Sequence, residues 1–359
     1  MAPMKSVVIV GGGVIGLFTA VRLAKAGARV TVLEAEGEHA DVFGPGASVA
    51  AAGMLAPLDE SGTPFTPLAF ESFDLWRQWR DGAEWADGVR FDGGVRVADE
   101  IAAADVVQTS ERHGRRAQVL RGGQFRKRTG FNAERAAVFV EDEGVADPQR
   151  VLSGLAMQAR AHGVIIEYNQ DVANVTASAA LTHEGRVYEA EAVVLAPGVW
   201  ATDALKQAAP ALRHVSAARG HLVSVKLERP LGPNVQGPRF YLAQRREDIV
   251  LGSTMEPGRY DRRVDQAQVQ ALLAAAEAAL PGEVQATGYA WCGIRPMSPD
   301  GWPMVGPSGD GLLVAAGHSR NGWLMAPVTA EIISAYVLGG EIPDRWAALS
   351  PQRFESQTA

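Results

Sequence analysis

Cysteine is almost missing from this chain of 359 residues, with Cys292 as its only thiol. One cysteine closes no internal disulfide, and it supplies neither a thiolate zinc site nor a Cys-x-x-C redox pair. A reducing cytosol is the expected setting. Positive charge is also in short supply: 34 Lys+Arg stand against 41 Asp+Glu, a formal net charge of −7. That balance speaks against a general nucleic-acid binder, which needs a positive field over a broad face to neutralise phosphates. The basic stretch 112–128 lacks an interleaved aromatic platform and reads as a solvated surface. Long apolar runs are absent as well. The nearest approach, residues 7–26, is punctuated by Gly11, Gly12, Gly13 and Gly16 and charged by Arg22 and Lys25, whereas a membrane span needs about 20 predominantly apolar residues. No membrane insertion is expected. No internal repeat or low-complexity tract is visible.

What is present is a hydrophobic fraction of 47% in a length that permits two domains or one large α/β unit. Residues 6–10 (SVVIV) form the β-branched run of a strand buried on both faces. A G-x-G-x-x-G turn follows at once on Gly11, Gly13 and Gly16, and then a stretch with apolar residues at helical spacing. The first glycine permits a tight turn, the second lets a pyrophosphate approach the backbone, and the third lets helix lie close on strand. The anion then sits on free N–H groups at the helix N-terminus. A second strand, residues 29–33 (RVTVL), leads into Glu34, placed to accept hydrogen bonds from a ribose diol. Repulsion between Glu34 and a 2′-phosphate disfavours NADP. The fingerprint leaves FAD and NAD open.

Residues 44–57 (GPGASVAAAGMLAP) are rich in small side chains, as backbone touching a flat aromatic cofactor must be. With this run the chain resembles the glycine oxidase and D-amino-acid oxidase family of flavoproteins, and the resemblance extends over essentially its whole length. It implies an α/β fold with a Rossmann-type FAD-binding domain interleaved with a mainly β (α+β) substrate-binding domain. It also implies non-covalent FAD held by Gly11, Gly13, Val14, Ile15, Gly16, Glu34, Ser48, Ala51, Ala52, Gly53 and Met54.

The order of segments fits two interleaved domains. Residues 1–87, 147–213 and 291–359 are assigned to the cofactor domain, and 88–146 and 214–290 to the substrate domain. Between 88 and 146 the pattern shifts to short strands and glycine turns. Asp147 and Pro148 then open a helix as N-cap and first helical residue. Residues 192–200 (AVVLAPGVW) are a strand ending in a small-Pro-Gly turn, similar to a second glycine motif of FAD-binding proteins, with Pro197 replacing the usual Thr. By the same resemblance Val172, Ala196, Gly198 and Trp200 face the cofactor.

The C-terminal region carries the sharpest resemblance. Residues 291–307 (WCGIRPMSPDGWPMVGP) are similar to the family signature whose arginine clamps the substrate carboxylate. A guanidinium is a planar bidentate fork matched to that group, and fixing it orients the α-carbon. Arg295 is therefore the expected clamp, against the alternative of a structural ion pair with Asp300. Residues 317–327 (GHSRNGWLMAP) resemble the family's turn into a helix whose N-terminus faces the flavin, giving Gly317, Arg320, Asn321, Gly322, Trp323 and Leu324 as cofactor contacts beside Arg295. Arg320 is a second anchor candidate, while His318 reads as a buttress of the turn. Tyr241 matches a tyrosine that bonds the substrate carboxylate, and Met255 matches a methionine lining the cavity. Arg239, where the family does not usually place an arginine, shares a strand face with Tyr241 and admits an acidic or extended substrate if it points inward. Cys292 falls one residue from the position used for covalent flavin in the related sarcosine oxidases, and a one-residue step reverses side-chain direction.

The resemblance implies oxidation of glycine, a small D-amino acid or a related secondary amine, with O2 or another acceptor. A quinone-linked dehydrogenase, a 2-hydroxy-acid dehydrogenase, a non-catalytic flavin binder and a plain NAD enzyme are the competitors. A homo-oligomer is left open.

Overall fold

The β-branched runs do what their patterns demand. Ser6–Val10 and Arg29–Leu33 are adjacent parallel strands in register from Ser6↔Arg29 to Val10↔Leu33, in a computed structural model describing residues 4–38, 44–58, 65–132, 135–228, 230–245 and 248–357. They belong to a six-stranded sheet ordered Met304–Ser308, Leu312–Ala316, Ala192–Leu195, Ser6–Val10, Arg29–Leu33, Ile165–Glu167. Its neighbours are parallel except for the antiparallel first pair. Both faces are covered, as a parallel sheet requires. Val7, Ile9, Val30 and Val32 pack against the helices Val14–Lys25, Thr66–Arg80, Pro148–Ala161 and Gly322–Leu338. Val8, Val10, Leu33 and Leu195 alternate to the other face, over the antiparallel meander Val172–Thr176, Ala179–Thr182, Val187–Glu189.

Pro327 lies inside the helix Gly322–Leu338. Proline brings no N–H, so the carbonyl of Trp323 loses its helical donor and the next hydrogen bond is disturbed. Two side chains of the helix Thr66–Arg80 repair the gap. Trp76 Nε1 donates to the Trp323 and Leu324 carbonyls at 3.0 and 3.2 Å, while Ser72 Oγ donates to Leu324 O at 2.6 Å and accepts from Val328 N at 3.2 Å. These bonds fix the direction in which the helix N-terminus points.

A nine-stranded sheet forms the other layer system, its long strand Ser216–Lys226 paired with Gln285–Met297 on one side and Ile249–Gly252 on the other. The helix Gln266–Ala279 covers it with Val269, Leu272 and Ala276. The small sheet Met54–Leu55, Gly144–Ala146, Val89–Arg90 connects the two systems.

Two features depart from the sequence reading. The stretch expected to be mainly β contains the helix Glu100–Arg112, capped by Asp99 accepting from Ala102 N at 2.9 Å and packed through Ala103 on Val138 and Val140. The strand Gln285–Met297 runs unbroken through the expected domain boundary at 291, so residues 291–297 pair with 216–222 of the nine-stranded sheet. Among the described residues no helix is long and apolar enough to cross a membrane.

Candidate active site

At the C-terminal end of the first strand the glycine turn closes on itself. Gly11 has φ +107°, donates to Leu33 O at 2.8 Å, and has room for no side chain, since a Cβ there would lie 2.3 Å from Ala196 O. Gly16 lies so close to the turn that a Cβ would meet Gly11 O at 1.9 Å. The helix that follows has no side-chain cap from Gly13, and Ser48 Oγ accepts from Val14 N at 3.1 Å, which places the small-residue run against the helix N-terminus beside Ile15. Glu34 accepts from Gly12 N at 2.6 Å and from Glu36 N at 2.9 Å. Gln170 N donates to Glu34 O at 2.8 Å, which carries Val172, buried in the core beside Leu33, to the same edge. Ala196 N donates to Val10 O at 2.8 Å, Gly198 takes φ +62°, and Trp200 Nε1 donates to Pro45 O at 3.1 Å. A turn drawn in by glycines, a helix N-terminus and an acid just after the second strand fit a dinucleotide.

The turn region leads to a cavity of about 320 Å3 between the two sheets. Ala51, Ala52, Gly53 and Met54 line one wall, and Arg320, Asn321, Trp323 and Leu324 bring the N-terminal turn of the helix Gly322–Leu338 to another, after Gly317 with φ +68°. Two indoles fix the small-residue run: Trp323 Nε1 donates to Ser48 O at 3.2 Å and Trp291 Nε1 to Ala50 O at 2.8 Å.

The third wall comes from the nine-stranded sheet. Gly220 faces Gly293 across the strand pair; the Arg295 guanidinium lies over Gly220, while Gly293 leaves room for Ala50. Arg295 donates from Nη2 to Ser253 Oγ at 2.7 Å and from Nη1 to Thr254 O at 3.2 Å. Among the described residues no carboxylate pairs with it, and burial together with the nearby Arg320 pushes its guanidinium below its ordinary value. The alternative partner is taken: Asp300 is gripped by Arg353 at 2.8 and 3.2 Å, and also caps Trp302 N at 3.0 Å. Tyr241 stands beside Arg295 and hydrogen-bonds Ser253; burial raises its phenol while Arg295 and that bond oppose the rise. It is protonated at neutral pH.

Behind this wall Thr254 is pinned by buried His221. His221 N donates to Thr254 Oγ1 at 2.9 Å, and Asp265 N donates to His221 Nε2 at 2.9 Å, which leaves Nδ1 to donate to the same hydroxyl at 2.9 Å. Arg96, a further lining residue, is satisfied by buried Glu143 at 2.7 and 3.1 Å, and Gln236 Nε2 binds the other carboxylate oxygen at 2.9 Å.

Of the five residues expected to hold the substrate, the structure brings four to one cavity. Arg295, Tyr241, Arg239 and Arg320 all line the cavity. Met255 does not: it is 42% exposed, because the chain leaves the sheet after Gly252 and pairs again only at Glu256–Pro257. His318 is buried, binds Thr329 Oγ1 through Nε2 at 3.1 Å, and is pushed down to about 3 by desolvation, as a neutral buttress would be. Cys292 is buried away from the lining, its thiol pushed up to about 11 by desolvation. Sequence reading missed Gly220, Ser253, Thr254, His221 and the Arg96–Glu143 pair. Their partners lie tens of residues away, and no local pattern marks them.

A family model for FAD dependent oxidoreductases matches residues 6–336. The chain belongs to that family. It is 32% identical over 353 residues to a glycine oxidase of Geobacillus kaustophilus, covering 92% of each chain, and 29% identical over 371 residues to one of Bacillus licheniformis, covering 97% of each. The fold is similar to the crystal structure of glycine oxidase from Geobacillus kaustophilus, with a TM-score of 0.83, 29% identity and coverage of 98% of this chain and 99% of that one. In this FAD-dependent oxidoreductase the small-residue run links the two regions, with Ser48 on the helix after the glycine turn and Ala51–Met54 in the cavity wall.

Proposed function

We propose that this flavoprotein oxidises the α-carbon of glycine, a small D-amino acid or a related secondary amine. The observation that carries the reading is Arg295: a guanidinium in the cavity wall that, among the described residues, bonds neutral oxygens and has no acid partner, beside a protonated tyrosine. Burying a cation without a counter-ion is costly unless an anion arrives. A substrate carboxylate meets that need through bidentate bonds from Arg295 and a bond from the Tyr241 hydroxyl. The similarity to glycine oxidases supports an amine as the group next to that carboxylate.

FAD held along these residues would supply the acceptor for a hydride from the α-carbon, with O2 as the oxidant that would return it to the oxidised form and leave as peroxide. The chain's own part is to hold and orient. Arg295 and Tyr241 fix the carboxylate, and the Ala51–Met54 wall and the tryptophans that pin it exclude water. Among the described lining residues there is no aspartate, glutamate or histidine to act as base, so the amine reacts in its neutral form after losing its proton to solvent. The flavin is held non-covalently, because Cys292 does not face the cavity. The two-domain partition belongs to this proposal, with the last boundary moved beyond Met297.

The test is anaerobic mixing of the purified holoprotein with glycine, sarcosine, D-alanine, D-proline and a 2-hydroxy acid, followed by air. Bleaching of the flavin by an amine, with rapid recovery in air, is the expected result. Bleaching by the hydroxy acid alone would overturn the amine assignment, and slow recovery would overturn the use of oxygen.

A further inference from the structure

The cavity carries more positive charge than one carboxylate needs. Its described lining holds four arginines, Arg96, Arg239, Arg295 and Arg320, and no acid. Glu143 neutralises Arg96. The other three have no ion-pair partner among the described residues, and Arg320 already depresses Arg295 by repulsion. Arg239 and Arg320 are exposed, and cations gathered along one cleft without counter-ions focus a field for anions. A single carboxylate on Arg295 leaves that field largely in place.

Arg239 is the cation that the cofactor and the carboxylate clamp do not account for. It sits on the tight turn between the antiparallel strands Asn234–Gly237 and Phe240–Gln244, and Gly237, Pro238 and Arg239 all face the cavity. Arg239 thus lies in the turn itself and not on the strand face it was expected to share with Tyr241, which follows two residues later within the strand Phe240–Gln244. A guanidinium here stands at the mouth, within a side chain's reach of a substrate whose first carboxylate is held by Arg295 and Tyr241. Resting on the reading above, we propose that the substrate class carries a second carboxylate, received by Arg239: an acidic D-amino acid or an N-carboxyalkyl glycine. An exposed arginine makes a weaker contact than a buried one, so its role is selection between substrates rather than overall grip.

The experiment compares D-aspartate with D-asparagine, D-glutamate with D-glutamine, and N-(carboxymethyl)glycine with sarcosine, in wild-type holoenzyme and in Arg239→Gln. The expected result is a higher kcat/KM for at least one diacid than for its neutral partner. That ratio falls about two- to fivefold in the variant, and falls with added salt in the wild type far more than in the variant. Thermal melts of both proteins establish that the variant is folded. If neutral amines bleach the flavin while the ratios are equal in wild type and variant, the second-carboxylate proposal fails and the amine reading stands. If no amine of either kind bleaches the flavin, the amine reading itself has failed.

Discussion

Gly220→Ala probes the proposed carboxylate clamp without removing a polar group. Gly220 lies in a regular strand, with no positive φ, so alanine is compatible with its backbone. The added Cβ would stand 2.1 Å from Arg295 Nη1, 2.6 Å from Nη2 and 2.7 Å from Cζ. Contact distance requires the guanidinium to retreat by more than about 1 Å. The retreat pulls it from Ser253 and Thr254 and misaligns the fork that meets the substrate. A displacement of that size costs about a hundredfold when it disturbs the reacting geometry, and charged hydrogen bonds of about 1.5–3 kcal/mol give a similar figure. We therefore expect Gly220→Ala to keep its flavin and its melting temperature within a few degrees, while the apparent Kd for substrate in anaerobic bleaching rises roughly ten- to a hundredfold. A folded, yellow Gly220→Ala protein with wild-type Kd would refute both the tight packing of Arg295 over the strand and its role as clamp.

The repair at Pro327 gives a stability prediction. Ser72→Ala removes the hydroxyl bridging Leu324 O and Val328 N and should cost about 2 kcal/mol, seen as a melting temperature lowered by a few degrees. An unchanged melt would mean that the helix needs no such bridge. His318 gives a pH prediction. Its folded value, about 3, lies well below that of an exposed histidine, so between pH 6.5 and 3 the unfolded chain binds the proton that the folded chain refuses. Stability should fall with pH there, by roughly 1 kcal/mol per unit from this group. Urea midpoints at pH 7 and 5 should converge in His318→Gln relative to wild type, and parallel slopes would sink the assignment.

Legibility in the sequence followed the range of the interaction. The glycine turn, its flanking strands and Glu34 lie within some thirty residues, and each is dictated by local needs: a positive φ, a close approach, a buried β-branched run. The capped helix at Asp147 and Pro148 is local in the same sense. The helix Glu100–Arg112 escaped notice because its apolar face is mostly alanine and valine, which short strands use equally well. The continuity of the strand across residue 291 was hidden from the sequence because one strand serves both the sheet behind the cavity and the signature around Arg295.

The cavity wall is of the other kind. A sequence can name Arg295 and Tyr241 as candidates, and Arg239 as an oddity, since their chemistry is written in their side chains. Which of them share a space, and which acid each has as a neighbour, depends on strand register. Ala218 opposite Arg295 and Gly220 opposite Gly293 decide that Arg295 lies over bare backbone. A contact between residues 47 apart, at Arg96 and Glu143, decides that one of four arginines is already neutralised. Met255 missed the cavity for the same reason, since pairing ends at Gly252. The sequence by itself determined the cofactor turn and the residue types of the site, because those are short-range demands on backbone and chemistry. Only the tertiary structure decided which charges remain uncompensated, because compensation is a property of neighbours in space.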